Sequence, residues 1–452
     1  MMKRMMLYAS ATVAVLMTGM NFLQAQPLPY RNPLPTNHQL RWHENNFYLF
    51  MHFGPNTFTS QEWGTGQEQT TIFRPERLDC NQWVRVAKEA GAKGIILTAK
   101  HHDGFCLWPS KYSTHTVRES GFNRDVLAEL SAACKKAGLL FGVYLSPWDR
   151  NHPDYGTDRY NDVYVNMLKE IFTNYGPIWE LWWDGANGEG PNGKQQVYDW
   201  KRYEATVRSL SPQTIVFSDI GPDCRWVGNE KGFAGETNWN LLDTAGYTRG
   251  AGSPPMDTLT RGNYRGAHYI PAESDVSIRP GWFYHQSENN QVKTPDQLMD
   301  IYLKTVGRGA NLLLNVPPDN QGLIHEKDIA TLTGFKNKRS IFEKKDLLKG
   351  ASVRVSEPDK SNPDRLYSWY YILKSPVWIN GLILQEDLQY GQKISEVNIN
   401  VSNRGETGYR STITTIGSQR IILFPQPVEA GEVAIVITGS KGRPVIKAIR
   451  SF

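Results

Sequence analysis

Gly94-Ile95-Ile96-Leu97-Thr98-Ala99 runs directly into Lys100-His101-His102-Asp103-Gly104-Phe105. The first six residues are short, mostly apolar and rich in branched side chains. Such a run fits a strand buried on both faces, as in a parallel sheet. Residues 81–91 before it place Trp83, Val84, Ala87 and Ala90 on one helical face. Residues 125–137 after it do the same with Val126, Leu127, Leu130 and Ala133, and Gly138 follows as a stop. Helix, buried strand and helix in succession imply βα units.

The pattern continues in both directions. Strands are expected at 47–54, 139–145, 178–183, 214–219, 277–284 and 311–316, with helices at 160–175, 198–210 and 296–306. Neither G-x-G-x-x-G nor G-x-x-x-x-G-K-[ST] follows any of these strands, which argues against a dinucleotide or P-loop site. The expected fold is α/β, a (β/α)8-like TIM barrel, with an open doubly wound sheet as the alternative. Near residue 345 the helical period stops. Short β-rich runs at 366–373, 381–384, 394–401, 420–424 and 432–438 replace it, which predicts an antiparallel β-sandwich over 346–452 after a barrel over 26–345.

Composition excludes several classes. Of 452 residues, 40% are hydrophobic and 21% charged, too apolar for a disordered chain. The net charge of +5 comes from scattered Lys and Arg, so no nucleic-acid footprint is expected. Four Cys without a C-x-x-C pair give neither a disulfide framework nor a zinc site, and free, buried thiols are expected. Lys3 and Arg4, the apolar run 7–23 and Leu23-Gln24-Ala25 read as a signal peptide over 1–25. The mature protein is then exported, periplasmic or secreted, with no membrane insertion.

In a barrel, active sites lie at the C-terminal ends of the strands. Those ends carry His52, His101-His102, Tyr144, Trp182-Trp183-Asp184 and Trp282. A lone His52 is ordinarily a core histidine, and Trp182 and Trp183 are as easily core as site. His101 and His102, as neighbours on a strand, should point to opposite faces and so not share one ion. Asp184 is harder to dismiss, because a carboxylate directly after an apolar strand should cap the barrel mouth. Aromatic faces with His, Asp, Glu and Arg are what sugar chemistry requires: stacking on a pyranose, hydrogen bonds to hydroxyls, and two carboxyl groups for reaction. Asp184 is then the nucleophile, and Glu230, Glu236 and Glu62 are candidates for the acid/base. No cofactor and no metal is expected. Two competing readings are a metal-dependent hydrolase built on His52, His101, His102 and Asp103, and a sugar-binding barrel without catalysis.

Met51-His52-Phe53-Gly54, Glu62-Trp63-Gly64-Thr65-Gly66, Lys100-His101-His102-Asp103-Gly104-Phe105 and Trp182-Trp183-Asp184-Gly185 together resemble the α-L-fucosidases of glycoside hydrolase family 29. The resemblance spans about residues 35–340 in order. With Arg225-Trp226-Val227-Gly228-Asn229-Glu230 and the C-terminal β region, it is closest in character to the subgroup acting on α-1,3- and α-1,4-linked branch fucose. It implies a retaining enzyme with Asp184 as nucleophile, acting on fucosylated oligosaccharides or glycoconjugates. It places fucose contacts on His52, Glu62, Trp63, His101, His102, Tyr144, Trp182 and Trp282, and Arg225 near the acid/base. Glu230 suits the acid/base role, with Glu236 as its competitor.

Overall fold

The computed structural model describes residues 32–358, 361–362 and 365–452. The expected signal peptide lies outside the described residues. Eight parallel strands close into a barrel: β1 (Phe47–Met51), β2 (Gly94–Lys100), β3 (Leu140–Leu145), β4 (Glu180–Trp182), β5 (Ile215–Ser218), β6 (Cys224–Trp226), β7 (Ala272–Ser277) and β8 (Asn311–Asn315). Each pairs with its neighbour in sequence, and β8 returns to β1. Helix α1 (Asn37–Glu44) precedes β1. Helices α2 (Cys80–Glu89), α3 (Val126–Ala137), α4 (Asp158–Asn174), α5 (Trp200–Leu210), α6 (Pro295–Lys304) and α7 (Glu326–Arg339) complete the main α set. The Asp125 side chain caps α3 by accepting from the Ala128 amide, and Gly138 ends it in the left-handed region.

Two strands depart from the sequence reading. The strand expected at 277–284 is β7, which ends at Ser277; residues 280–285 form the loop above it. Ala272-Glu273-Ser274-Asp275-Val276-Ser277 carries carboxylates where an aliphatic run would announce a strand. The three-residue β6 was not anticipated at all. It follows β5 after only residues 219–223, without a helix, and each of its pairings covers two residues.

Period-two alternation organises the interior. Tyr48, Phe50 and His52 share one parity on β1, as do Glu180, Trp182 and Asp184 on β4 and Glu273, Asp275 and Ser277 on β7. These positions project into the barrel or its mouth; the opposite parity packs outward under the helices. The same register that buries Glu180 therefore lifts Asp184 to the rim.

Beyond residue 345 the C-terminal region forms one six-stranded antiparallel sheet. Its strands are β9 (Ser352–Ser356), β10 (Tyr367–Glu386), β11 (Ile394–Asn403), β12 (Glu406–Ile413), β13 (Arg420–Ser440) and β14 (Ile446–Ser451). Runs expected as separate strands merge into β10 and β13, which change register between Ile372 and Val377 and between Ile379 and Gly381. Tyr367, Trp369 and Tyr371 pack against the apolar cluster of this domain, while Tyr370 on the other face lies under Arg354 at 4.8 Å. The domain grips the barrel through the loop after β6: Thr415 accepts from the Asn238 amide, and Gln392 bonds the backbones of Asn238 and Asn240. All four Cys are buried and free.

The loop above β7 is tied down by a buried ion pair. Arg279 donates through Nε and Nη2 to Asp328 of α7 at 3.0 and 2.9 Å, and both side chains are fully buried. Removing one partner strands a buried charge. Asp328→Ala should lower stability by about 3–5 kcal/mol, read by chemical denaturation; a loss below about 1 kcal/mol, the size of an exposed pair, would show that this contact does not hold the loop.

Candidate active site

A cavity of about 160 Å³ opens at the C-terminal end of the barrel. It is lined by Phe50, His52, Glu62, Trp63, His101, His102, Tyr144, Trp182, Asp184, Ala186, Glu230, Asp275 and Trp282. Ten of the twelve residues expected at the site from sequence are in that set. A roomier cavity at the opposite end, about 750 Å³, is lined by no carboxylate, so volume does not mark the chemistry here.

Asp184 is held by two donors. The Tyr144 hydroxyl donates to Oδ2 at 3.0 Å, and the Ala186 amide donates to Oδ1 at 2.8 Å. Tyr144 itself stacks on His101 (18°) and on Trp182 (27°), with ring centres 5.6 and 5.5 Å apart. Trp182 stacks on Phe217 at 4.0 Å and 10°. Each such pair contributes about 0.5–1.5 kcal/mol beyond the area it buries. The carboxylate therefore stands on a rigid aromatic wall.

The histidines are neutral. Burial lowers His52 to about 3 and His102 to about 4, and drives His101 well below the usual imidazole range, with His102, His52 and Lys100 adding to it. Their tautomers follow from their partners. Asn315 donates through Nδ2 to Ser277 Oγ and the Trp282 carbonyl, so its Oδ1 accepts from His52 Nδ1 at 2.9 Å. The Ser146 hydroxyl donates to the Trp148 carbonyl and accepts from His102 Nδ1 at 2.7 Å. Each Nε2 is then a lone pair. His102 Nε2 lies 3.7 Å from Asp184 Oδ2, two acceptors spaced to receive the hydroxyls of a ligand rather than to form an ion pair.

His101 and His102 both face the cavity, contrary to the strand-neighbour expectation, with rings 4.2 Å apart. The strand ends at Lys100 and the chain turns, so alternation no longer applies. Gly104 makes that turn at φ +82°, and a Cβ there would strike Asp149. His52 and His102 spend Nδ1 on Asn315 and Ser146, and Asp103 turns Oδ1 to the Phe105 amide. Among the described residues, the only His/Cys/Asp/Glu group whose ligand atoms converge lies elsewhere, at Glu180, Cys224 and Glu273.

The opposite wall comes from two loops. Glu62 accepts from the Trp282 amide at 2.8 Å and pairs with His285 Nε2 at 2.6 Å. The loop of Trp63 is clamped by Arg150, which donates to the Gly64 carbonyl, and by Asn151, which donates to that of Gly66 at 2.7 Å. Trp63 is 58% exposed, a hydrophobic plate at the mouth edge-on to Trp148. Glu230 accepts from Trp282 Nε1 at 3.3 Å. Burial pushes its carboxyl above the usual glutamate range, and the charges of Asp184 and Glu62 push the same way.

Two expected site residues lie outside. Arg225 is fully buried, donating to the carbonyls of Leu259, Ile270 and Trp239 and to Asn238 Oδ1. It braces the loop after β6 and does not line the cavity. The Glu236 side chain is 79% exposed and faces Arg308 at 3.6 Å. Its carbonyl accepts from Thr414 and Arg420 of the C-terminal domain, which holds it away from the mouth. Asp275 was missed. Burial holds its carboxyl well above the usual aspartate range, with the charge of Glu230 adding to it, and Trp226 Nε1 donates to it at 2.8 Å. The alternation Glu273, Asp275, Ser277 was the available signal.

The alpha-L-fucosidase family model matches residues 28–337. Alpha-L-fucosidase 1 of Arabidopsis thaliana is 39% identical over 94% of this chain and 88% of that protein. The crystal structure of a glycoside hydrolase 29 family member from an unknown rumen bacterium superposes with a TM-score of 0.85 at 38% identity, over 94% of this chain and 78% of that one. A Ruminococcus gnavus fucosidase of the same family, solved in complex with fucose, gives 0.82 at 30% identity over 95% and 96%. A closed barrel with this pocket, matched over nearly its whole length by fucosidases, belongs to the glycoside hydrolase 29 family of alpha-L-fucosidases.

Proposed function

We propose that this α-L-fucosidase is a retaining exo-enzyme that removes α-1,3- and α-1,4-linked fucose from branched, Lewis-type glycans, with Asp184 as nucleophile and Glu230 as acid/base. One observation carries the catalytic assignment: an Asp184 carboxylate fixed by two donors in a pocket whose other wall holds Glu230, a carboxyl that burial pushes above the usual glutamate range. Asp184 attacks the anomeric carbon while Glu230 gives its proton to the leaving oxygen. The covalent fucosyl-aspartate is then opened by water that Glu230 deprotonates. Neutral His52 and His102 accept hydroxyl hydrogen bonds, and Trp282 flanks the sugar.

The linkage reading draws on a second cavity of about 380 Å³ that shares Trp182, Asp184, Ala186, Glu230 and Asp275 with the first. Trp226, Asp219 and residues 250–253 also line it, and in this proposal the sugars that carry the fucose are assigned to this space beside Glu230. Among the described residues, none from the C-terminal domain lines either cavity. Export by the N-terminal segment belongs to the same proposal, since complex glycans are met outside the cytoplasm.

Time-resolved proton NMR on residues 26–452 tests this. A Lewis-type branched trisaccharide should release fucose that appears first as the α anomer. Initial β-fucose would reject retention. Cleavage of an α-1,2-linked isomer in place of the branched sugar would reject the linkage assignment.

A further inference from the structure

Beneath the pocket, the barrel interior holds two carboxyl groups that take no part in the chemistry above. Glu180 of β4 and Glu273 of β7 are both completely buried. Their carboxyl groups face each other: an oxygen from each lies within 4.8 Å of the other and of the Cys224 thiol. Among the described residues no ion pair joins either to Lys, Arg or His. Barrel interiors are ordinarily filled by branched aliphatic side chains.

The donors around the pair define its protonation. Trp42 Nε1 donates to Glu180 Oε2 at 2.9 Å. Trp182 Nε1 donates to Glu273 Oε1 at 2.8 Å, and the Tyr48 hydroxyl donates to Glu273 Oε2. Glu180 Oε1 receives no donor. Two buried carboxylates side by side without a cation repel each other strongly. One proton on Glu180 Oε1, donated to Glu273, removes that repulsion and fills the empty position. Glu180 is then neutral, and Glu273 keeps the charge that accepts from Trp182.

Trp182 is the link to the site. Its indole is a wall of the sugar pocket and stacks on Tyr144, whose hydroxyl holds Asp184. We propose that Glu273, in a carboxyl–carboxylate pair with Glu180 that holds a single proton, is the positioning residue that fixes the Trp182 indole against bound fucose. The inference rests on the sugar pocket described above and is independent of the linkage assignment.

Infrared spectroscopy and L-fucose titration test it together. At pH 7 the wild-type minus Glu180→Gln difference spectrum should show the C=O stretch of one protonated carboxyl. Its absence would overturn the shared proton, whatever the substrate. A metal bound in equal amount to the purified wild type and lost in Glu180→Gln would overturn it too, assigning Glu180, Cys224 and Glu273 to a metal site. Glu273→Met leaves the Trp182 N–H without an acceptor and should weaken L-fucose binding by about 5- to 100-fold. Glu273→Gln, whose amide oxygen accepts from Trp182 while its NH2 donates to ionised Glu180, should restore binding to within about 3-fold of wild type. Equal loss in both variants would reduce Glu273 to core packing. Should Glu273→Met not fold, the infrared difference and Glu273→Gln still decide. A wild type that binds no L-fucose would fail the pocket and leave the carboxyl pair to be judged by its spectrum.

Discussion

Asp184→Asn lowers kcat/KM on an α-L-fucoside by roughly 10,000- to 1,000,000-fold, the range seen when a nucleophile is removed. That is about 5–8 kcal/mol of transition-state stabilisation. The substitution is isosteric but loses more than the attacking oxygen. Oδ1 and Oδ2 both accept hydrogen bonds, from Ala186 N and Tyr144 Oη. An amide offers one oxygen, so one donor faces an NH2 group. The fold should survive, because Asp184 sits at the rim and the aromatic wall beneath it stands on Trp182 and Phe217. Asp184→Gly adds a stereochemical readout. Azide entering the vacated space approaches the face opposite the leaving group and yields the β-fucosyl azide. Asp184→Asn retaining more than about a tenth of wild-type kcat/KM, which leaves under about 1.4 kcal/mol for the nucleophile, would remove Asp184 from the mechanism.

Why Asp184 was legible and Asp275 was not is a matter of what each strand shows in sequence. β4 is announced by the apolar residues around it, so a carboxylate at its end reads as misplaced and therefore functional. β7 is Ala-Glu-Ser-Asp-Val-Ser, with acidic groups inward. Hydropathy takes such a run for a loop, and only alternation marks it as a strand. β6 lacks even that, because its pairings cover two residues a side and are imposed by its neighbours. Arg225 and Glu236 show the converse limit. Both belong to a segment rich in site-like residues, but the loop after β6 is pinned by the C-terminal domain through Thr414, Thr415, Gln392 and Arg420. Contacts between residues 152 to 184 apart decide which side chains face the cavity, and residue types alone do not carry that information. The motif His101-His102 departs differently: both residues line the cavity, because the strand stops at Lys100, before alternation would have separated them.

Glu230→Ala separates the two halves of the reaction. On a fucoside with a poor leaving group, kcat/KM should fall by about 100- to 10,000-fold, the usual worth of general acid assistance. On fucosyl fluoride, whose leaving group needs no proton, the first step proceeds and the fucosyl-aspartate accumulates, since its hydrolysis now lacks a base. Azide then accelerates turnover and gives the α-fucosyl azide, the opposite anomer from that of Asp184→Gly, because it attacks the intermediate from the face the leaving group vacated. The pH profile supplies an independent check. Burial, then the charges of Asp184 and Glu62, hold the Glu230 proton above the usual glutamate range, while the Trp282 indole N–H pulls the other way. The alkaline limb of kcat/KM must therefore lie above an ordinary glutamate titration and vanish in Glu230→Ala. Glu62→Gln removes one of the two charges, so whatever it costs in sugar binding, it should move that limb to lower pH. Glu236→Gln, out with Arg308 and the C-terminal domain, should leave both the rate and the limb in place. If Glu236→Gln instead abolished the limb and Glu230→Ala kept it, the loop after β6 would have to refold over the mouth on binding substrate. The bonds from Thr414 and Arg420 to the Glu236 carbonyl would be the first to break.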